Sequence, residues 1–310
     1  MARTISFSLR LTLLSLWGGL VCAAAAQTAV IFSETTLRSD VSEVRVTFST
    51  TDQNNRVVGT IQPTDFAIVD QDRVVRDFRS FNRSEYTRMD VVVLVDTSGS
   101  VAPQSRLEFS KVIQLIAETQ GVPDESFSVV SFRDLKPAVV CEGNCRELYT
   151  QAKLPVITSS GLTPLYDSIV FASRMLARRN DHNTRRILVL FSDGADTISL
   201  KSFTDAMDSV LDNDIVIYSV DVGSQPQASR GTLVLQGFAA NTGGRYFPIA
   251  AGTDKVIDAI LEDFRATYTV AYKLPSHAAG FHQVRILPTH DLGLQFHCRR
   301  GYYYPGKGEN

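Results

Sequence analysis

The sequence predicts an α/β fold, with a doubly wound, mostly parallel sheet inserted in or flanked by a small β-rich domain. Three observations carry that expectation. Apolar, β-branched runs at Val91 to Val95, Ile187 to Phe191 and Ile215 to Val220 are bounded by polar residues, as in parallel strands covered on both faces. Stripes of helical period lie between or after them: Phe109, Val112, Ile113, Ile116 and Ala117; Phe203, Met207, Val210 and Leu211; Val256, Ile257, Ile260, Leu261 and Phe264. On either side of this region the apolar period falls to two. Strands alternating with helices build one layered α/β domain.

In chain order, residues 1–26 read as a secretory signal peptide. Arg3 and Arg10 precede the apolar stretch Leu11 to Ala26, which ends in small residues before Gln27. That stretch is shorter than the about 20 residues of a membrane span. Cleavage is expected near Ala26, leaving no membrane span, and bulky Val21 argues against lipidation at Cys22. The expected destination is the periplasm, the cell surface or the medium.

Residues 27–88 form a β-rich flank. Val44, Val46 and Phe48 alternate with Arg45, Thr47 and Ser49; Phe66 and Ile68 lead to a polar turn at Asp70 to Asp72, and Val74 with Phe78 predicts a returning strand. The α/β domain occupies 89–264. A second β-rich flank, 265–310, alternates through Tyr268, Val270, Tyr272 and Leu274, then through Leu292, Leu294, Phe296 and Cys298. Such short strands bury too little alone, so this flank is expected to pair with 27–88.

Composition narrows the function. The 310 residues are 44% hydrophobic and 21% charged, ordinary globular usage, and the net charge is -2. That balance favours neither nucleic acid nor an anionic membrane, which attract a basic excess. Cys141 and Cys145 share a polar loop, where export permits a small disulfide. C-x3-C without a second pair is a weak zinc signal. Cys298 falls in line with apolar residues, the position of a buried, inert thiol. His277, His282, His290 and His297 crowd the last third without metal-helix spacing and read as surface imidazoles.

Three segments carry the chemistry. The run Val91 to Val95 opens into Asp96-Thr97-Ser98-Gly99-Ser100 at a strand's carboxyl end, where open sheets bind ligands. A second loop supplies Thr163, expected to cap a helix that starts at Pro164. Ile187 to Phe191 leads into Ser192-Asp193-Gly194. Asp221 ends a neighbouring strand and reads as a loop cap. Asp167 reads as a helix-start or orienting carboxylate, and Asp196 as a solvated one.

Asp96, Ser98 and Ser100 resemble the D-x-S-x-S of von Willebrand factor type A domains. Thr163 is similar to the family's distant threonine and Asp193 to its D-G aspartate, over a similarity spanning roughly 89–264. The β-rich start and the ending Arg300-Gly-Tyr-Tyr-Tyr304-Pro305 also resemble a bacterial, Acidobacteria-type, von Willebrand factor A-related family. The resemblance implies a complete metal-ion-dependent adhesion site. Ser98 and Ser100 would bind the ion directly, Thr163 would join when ligand is bound, and Asp96 and Asp193 would act partly through water. Hydroxyl and carboxylate oxygens suit Mg²⁺ first, then Mn²⁺ or Ca²⁺. Five side chains, some indirect, leave a position for a protein partner's Asp or Glu carboxylate.

The expected function is an exported binding module for adhesion or assembly. The alternatives are a structural component of an envelope complex with an incidental metal site and, less favoured, a metal-dependent hydrolase. No G-x-S-x-G elbow, H-E-x-x-H or P-loop is present, so the chain reads as a non-enzyme.

Overall fold

A computed structural model describes residues 43–83, 88–101, 111, 113–119, 121–143, 145, 161–179, 184–223, 229–290 and 293–306. Residues 1–26, expected from their sequence to be a signal peptide, lie outside them.

Three sheets organise the described residues. The central one has six strands in the order β10-β9-β8-β5-β6-β7: β5 (Met89–Asp96), β6 (Phe127–Phe132), β7 (Ala138–Glu142), β8 (Arg185–Ser192), β9 (Ile215–Asp221) and β10 (Tyr246–Pro248). Five strands are parallel, and β7 joins the β6 edge antiparallel. The sheet is therefore mixed. β5 is buried at every position because side chains cover both faces. On one side Val91, Val93 and Val95 pack with Ile113, Ile116, Val256, Ile257 and Ile260. On the other, Val92 and Leu94 pack with Leu165, Ile169, Val210 and Phe238. The helices behind these contacts include α1 (Leu165–Arg178), α2 (Phe203–Asp212), α3 (Arg230–Thr242) and α4 (Thr253–Arg265). The start of α2 is fixed by a reciprocal cap: the Ser202 hydroxyl accepts from the Asp205 N–H, and the Asp205 carboxylate accepts from the Ser202 N–H.

The flanking segments build two four-stranded antiparallel sheets. One runs β13-β1-β11-β4, with β1 (Glu43–Thr51), β4 (Phe78–Arg83), β11 (Tyr268–Lys273) and β13 (Gln295–Cys298). The other runs β14-β12-β2-β3, with β2 (Phe66–Asp70), β3 (Arg73–Val75), β12 (Gly280–Pro288) and β14 (Gly301–Tyr304). Each sheet draws strands from both ends of the chain: β1 pairs with β11, and β2 with β12. They share one core of Val44, Val46, Phe48, Phe66, Ile68, Val270, Tyr272 and Ile286. Phe48 sits at its aromatic centre, with ring centroids 5.2 Å from Phe66 and 5.6 Å from Tyr268.

Two local expectations differ from the structure. The return predicted through Val74 and Phe78 is broken into β3 and β4, which lie in different sheets. β3 leaves an exposed turn in which Gln71 and Asp72 both have positive φ, and Val74 remains 60% exposed. His282 and His297 are not surface imidazoles: His282 is buried between the strands, and His297 is half-buried, bonded to the Thr51 hydroxyl at 2.9 Å, with burial depressing its pKa to about 4.

Candidate functional site

The order of the six-stranded sheet changes direction at β5: the chain moves outward to β6 on one side and to β8, β9 and β10 on the other. Connections leaving in opposite directions open a crevice at the carboxyl ends of the strands. Asp96 closes β5 there, and Ser192 closes its neighbour β8.

Asp96 is fully buried and doubly held. Its Oδ1 accepts from the Ser98 N–H at 2.9 Å, and its Oδ2 accepts from the Ser192 hydroxyl at 2.7 Å. Burial pushes its carboxyl up to about 6, against the pull of these bonds, and the Asp193 charge pushes the same way. Ser98 and Ser100 hydroxyls lie 3.1 Å apart; Ser98 is buried and Ser100 exposed, so the pair leads from the sheet edge to solvent.

Thr163 belongs to a loop that meets this one: the Gly99 N–H donates to the Gly161 carbonyl at 3.4 Å. Thr163 does not cap α1. The helix begins at Leu165 with Pro164 in the cap position and no side-chain cap bond. The Thr163 N–H instead donates to the Thr197 hydroxyl at 2.7 Å, and its carbonyl accepts from the Thr197 N–H at 2.9 Å. Its backbone is thus tied to the loop that follows Asp193. Asp193 is half-buried, its Oδ1 accepting from the Ala195 N–H at 3.0 Å. The next residue, Gly194, has φ +77 and packs so closely on Gly231 that a Cβ would lie 2.2 Å from the Gly231 carbonyl oxygen. Only glycine fits both the turn and that approach.

The structure therefore joins Asp96, Ser98 and Ser100 by direct bonds and sets Asp193 within the electrostatic reach of Asp96. Thr163 is linked to them through backbone and Thr197. Among the described residues no three His, Cys, Asp or Glu side chains cluster as a metal site. The oxygens gathered at this edge are two carboxylates and several hydroxyls. That set fits a hard divalent cation, because two carboxylates match its charge and hydroxyls fill neutral positions.

Ser192 and Thr197 were not singled out in the sequence, whereas Asp167, Asp196 and Asp221 were. Ser192 bridges Asp96 and the Gly194 N–H, which donates to its oxygen at 3.0 Å; its signal was a hydroxyl immediately before D-G at a strand end. Asp167 accepts from the Leu200 and Lys201 N–H groups at 3.0 and 2.9 Å. Asp196 accepts from the Ser199 hydroxyl at 2.5 Å. Both are loop anchors, so Asp196 is not simply solvated. Asp221 is buried and accepts from the Gly223 N–H, the Thr232 hydroxyl and the Tyr246 hydroxyl, fixing the start of α3. Cys141 and Cys145 are disulfide-bonded, while Cys298 is free and half-buried with its thiol pushed up to about 11 by burial.

Residues 91–195, which contain all five candidate oxygens, match the family model described as the von Willebrand factor type A domain. This segment is a von Willebrand factor type A domain. No curated protein matches the chain. Similar solved structures include an aerotolerance-related membrane protein from Bacteroides fragilis NCTC 9343, at 14% identity over 57% of this chain and 98% of that one, with a TM-score of 0.45. Proximal thread matrix protein 1 from the mussel byssus is similar at 12% identity over 56% of this chain and 48% of its own, with a TM-score of 0.43. BatB from Bacteroides thetaiotaomicron is similar at 13% identity over 56% of this chain and 97% of its own, with a TM-score of 0.41. Around the type A domain's carboxyl edge, three loops present large apolar residues to solvent: Leu135 is 76% exposed, Leu162 50% and Leu200 95%. The first two loops are bonded together, the Asp134 N–H donating to the Leu162 carbonyl at 2.7 Å. No helix among the described residues is long and apolar enough to cross a membrane.

Proposed function

We propose that the chain is a non-enzymatic assembly component, working outside the cytoplasm, whose type A domain binds a protein partner at the carboxyl edge of the six-stranded sheet. One observation carries this reading: loops that hold side-chain oxygens at that edge also hold Leu135, Leu162 and Leu200 in solvent. Large apolar side chains held in solvent around one edge mark a protein-interaction surface. Export rests on the residue pattern of 1–26.

At the centre of that interface, Asp96, Ser98, Ser100, Thr163 and Asp193 would hold one Mg²⁺, with Mn²⁺ or Ca²⁺ as substitutes. The ion's remaining position would receive an Asp or Glu carboxylate of the partner. The support is the buried Asp96 carboxylate within electrostatic reach of Asp193 and the hard-oxygen donor set. A structural role in an envelope complex without metal-mediated capture is a second reading. It is favoured by the bonds that already satisfy Asp96 from Ser98 and Ser192.

Calorimetry with Mg²⁺ or Mn²⁺ and pull-down from the cell envelope, each on wild type and Asp96→Ala, separate the two readings. Metal capture requires binding heat and retention of partner, both lost in Asp96→Ala and in EDTA. Partner retention that survives EDTA and Asp96→Ala supports the structural component. A chain that retains no envelope protein under either condition refutes the assembly role.

A further inference from the structure

A second set of chemically capable side chains lies away from the type A domain, between the two antiparallel sheets. Asp70 ends β2, Tyr272 lies on β11, His282 on β12 and Tyr302 on β14. Asp70, Tyr272 and His282 are buried, and Tyr302 is half-buried at the margin. Both phenols donate to the same carboxylate oxygen, Asp70 Oδ2, at 2.8 Å. His282 Nδ1 lies 3.2 Å from the Tyr302 hydroxyl and 3.7 Å from Asp70 Oδ1. On the far side of the ring, His282 Nε2 meets the Ala278 carbonyl at 2.7 Å. A carbonyl only accepts, so Nε2 carries a proton, and in a neutral ring Nδ1 then presents a lone pair inward.

Asp70 Oδ1 is buried without a hydrogen-bond partner. The protons available to this cluster do not cover its acceptors. Tyr272 and Tyr302 have one each, both directed at Oδ2, while Oδ1 and the inward His282 nitrogen face one another across 3.7 Å with none between them. A buried carboxylate oxygen left without a donor attracts a positive centre.

We propose that Asp70, Tyr272, His282 and Tyr302 form a binding site for a hard trivalent cation, ferric iron being its chemical type. Donors at about 2.0–2.1 Å from an ion in octahedral geometry stand about 2.8–3.0 Å apart when adjacent. The carboxylate–phenol contacts already have that spacing, and the phenol–imidazole contact is slightly wider. Charge selects the ion. On binding, both phenol protons leave to solvent. Two phenolates and one carboxylate then balance three positive charges, whereas a divalent ion would leave a buried negative excess. The Ala278 carbonyl fixes the ring orientation, as the outer partner of a metal-bound histidine does. Burial and the Asp70 carboxylate hold the Tyr302 phenol well above its usual range, so it keeps its proton until a cation displaces it; the Arg299 guanidinium, 5.6 Å from the ring centroid, pulls weakly the other way. Tyr302, half-buried where the other three are buried, is the member of the cluster nearest solvent.

The full chain, stripped with chelator, is titrated with ferric nitrilotriacetate and passed through gel filtration. One retained iron per chain with visible tyrosinate-to-iron charge-transfer absorption is expected. Tyr302→Phe and Tyr272→Phe should each lose or shift the band while keeping the wild-type circular dichroism, and Asp96→Ala should leave it unchanged. No retained iron, retained iron without the band, or a band that survives both Tyr→Phe substitutions overturns the site. The wild-type spectrum decides alone should a Phe variant fail to fold. If metal-free protein labelled with nitrogen-15 shows two N–H signals for His282 and takes up no iron, the positive centre is an imidazolium and the site is overturned.

Discussion

Ser192→Ala removes one buried oxygen and tests the candidate metal edge without touching a proposed ligand. The hydroxyl donates to Asp96 Oδ2 at 2.7 Å and accepts from the Gly194 N–H at 3.0 Å. A hydrogen bond to a charged group contributes about 1.5–3 kcal/mol, and an orphaned buried amide costs about 1–3 kcal/mol. The loss should therefore be about 3–5 kcal/mol at pH 8, a large share of the roughly 5–15 kcal/mol that holds a domain folded. Trp17 is the sole tryptophan and lies in the predicted leader, so urea unfolding is best followed by far-ultraviolet circular dichroism. The pH dependence has a definite sign. Burial raises the Asp96 carboxyl from 3.8 to about 6, so the native state gains stability as pH falls through about 6 toward 3.8. Losing the Ser192 donor raises that carboxyl further, so the variant gains more and the gap to wild type narrows at pH 5. By calorimetry, Mg²⁺ affinity should fall about 10–100-fold, the usual effect of removing a ligand's outer hydrogen bond. A penalty below about 1 kcal/mol at pH 8, or one that widens on acidification, refutes the reasoning.

Other expectations concern the frame around that edge. His297→Gln should remove acid sensitivity: depression of the imidazole from 6.5 to about 4 costs the wild type about 3 kcal/mol as pH falls from 6.5 through 4. Equal acid melting curves for the two proteins would contradict this. Gly231→Ala places a Cβ 2.1 Å from the Asp193 carbonyl oxygen and should cost at least about 2 kcal/mol in urea and weaken Mg²⁺ binding. Unchanged stability and calorimetric heat would refute it. Phe48→Ala empties the aromatic centre between the small sheets and should cost about 3–5 kcal/mol. A thermal midpoint near that of wild type would show that centre to be dispensable.

Much of the α/β region was legible because its signals are local. β5, β8 and β9 are built on the apolar runs Val91 to Val95, Ile187 to Phe191 and Ile215 to Tyr218, and the stripes at Phe203 to Leu211 and Val256 to Phe264 fall on α2 and α4. β7 was not, because Ala138 to Glu142 is a five-residue edge strand of which only Cys141 is buried, too short for its apolar residues to show a period. β3 and β4 read as one strand because sequence carries no mark of a change of sheet. At the candidate site, Asp96, Ser98 and Ser100 were visible as a motif. Thr197 and Ser192 were not, since their roles arise from pairings across loops. Pro164 shows a limit of local rules: its sequence neighbourhood suits a first helical turn, yet tertiary bonds from Thr163 to Thr197 place it one residue outside.

Helix α3 has no slack at either end. Its first turn presses Gly231 against the Asp193–Gly194 backbone. Past its last turn, Gly243 lies so close to Cys298 and Arg299 that a Cβ would sit 2.7 Å from backbone atoms, and the Arg300 N–H donates to the Asn241 carbonyl at 2.8 Å. A rod of 13 residues, about 20 Å at 1.5 Å per residue, is thus clamped between the sheet's crevice and the β13–β14 strands. Axial displacement at one clamp has to be taken up at the other, so load applied at the crevice is delivered to the antiparallel layers as a push or a pull.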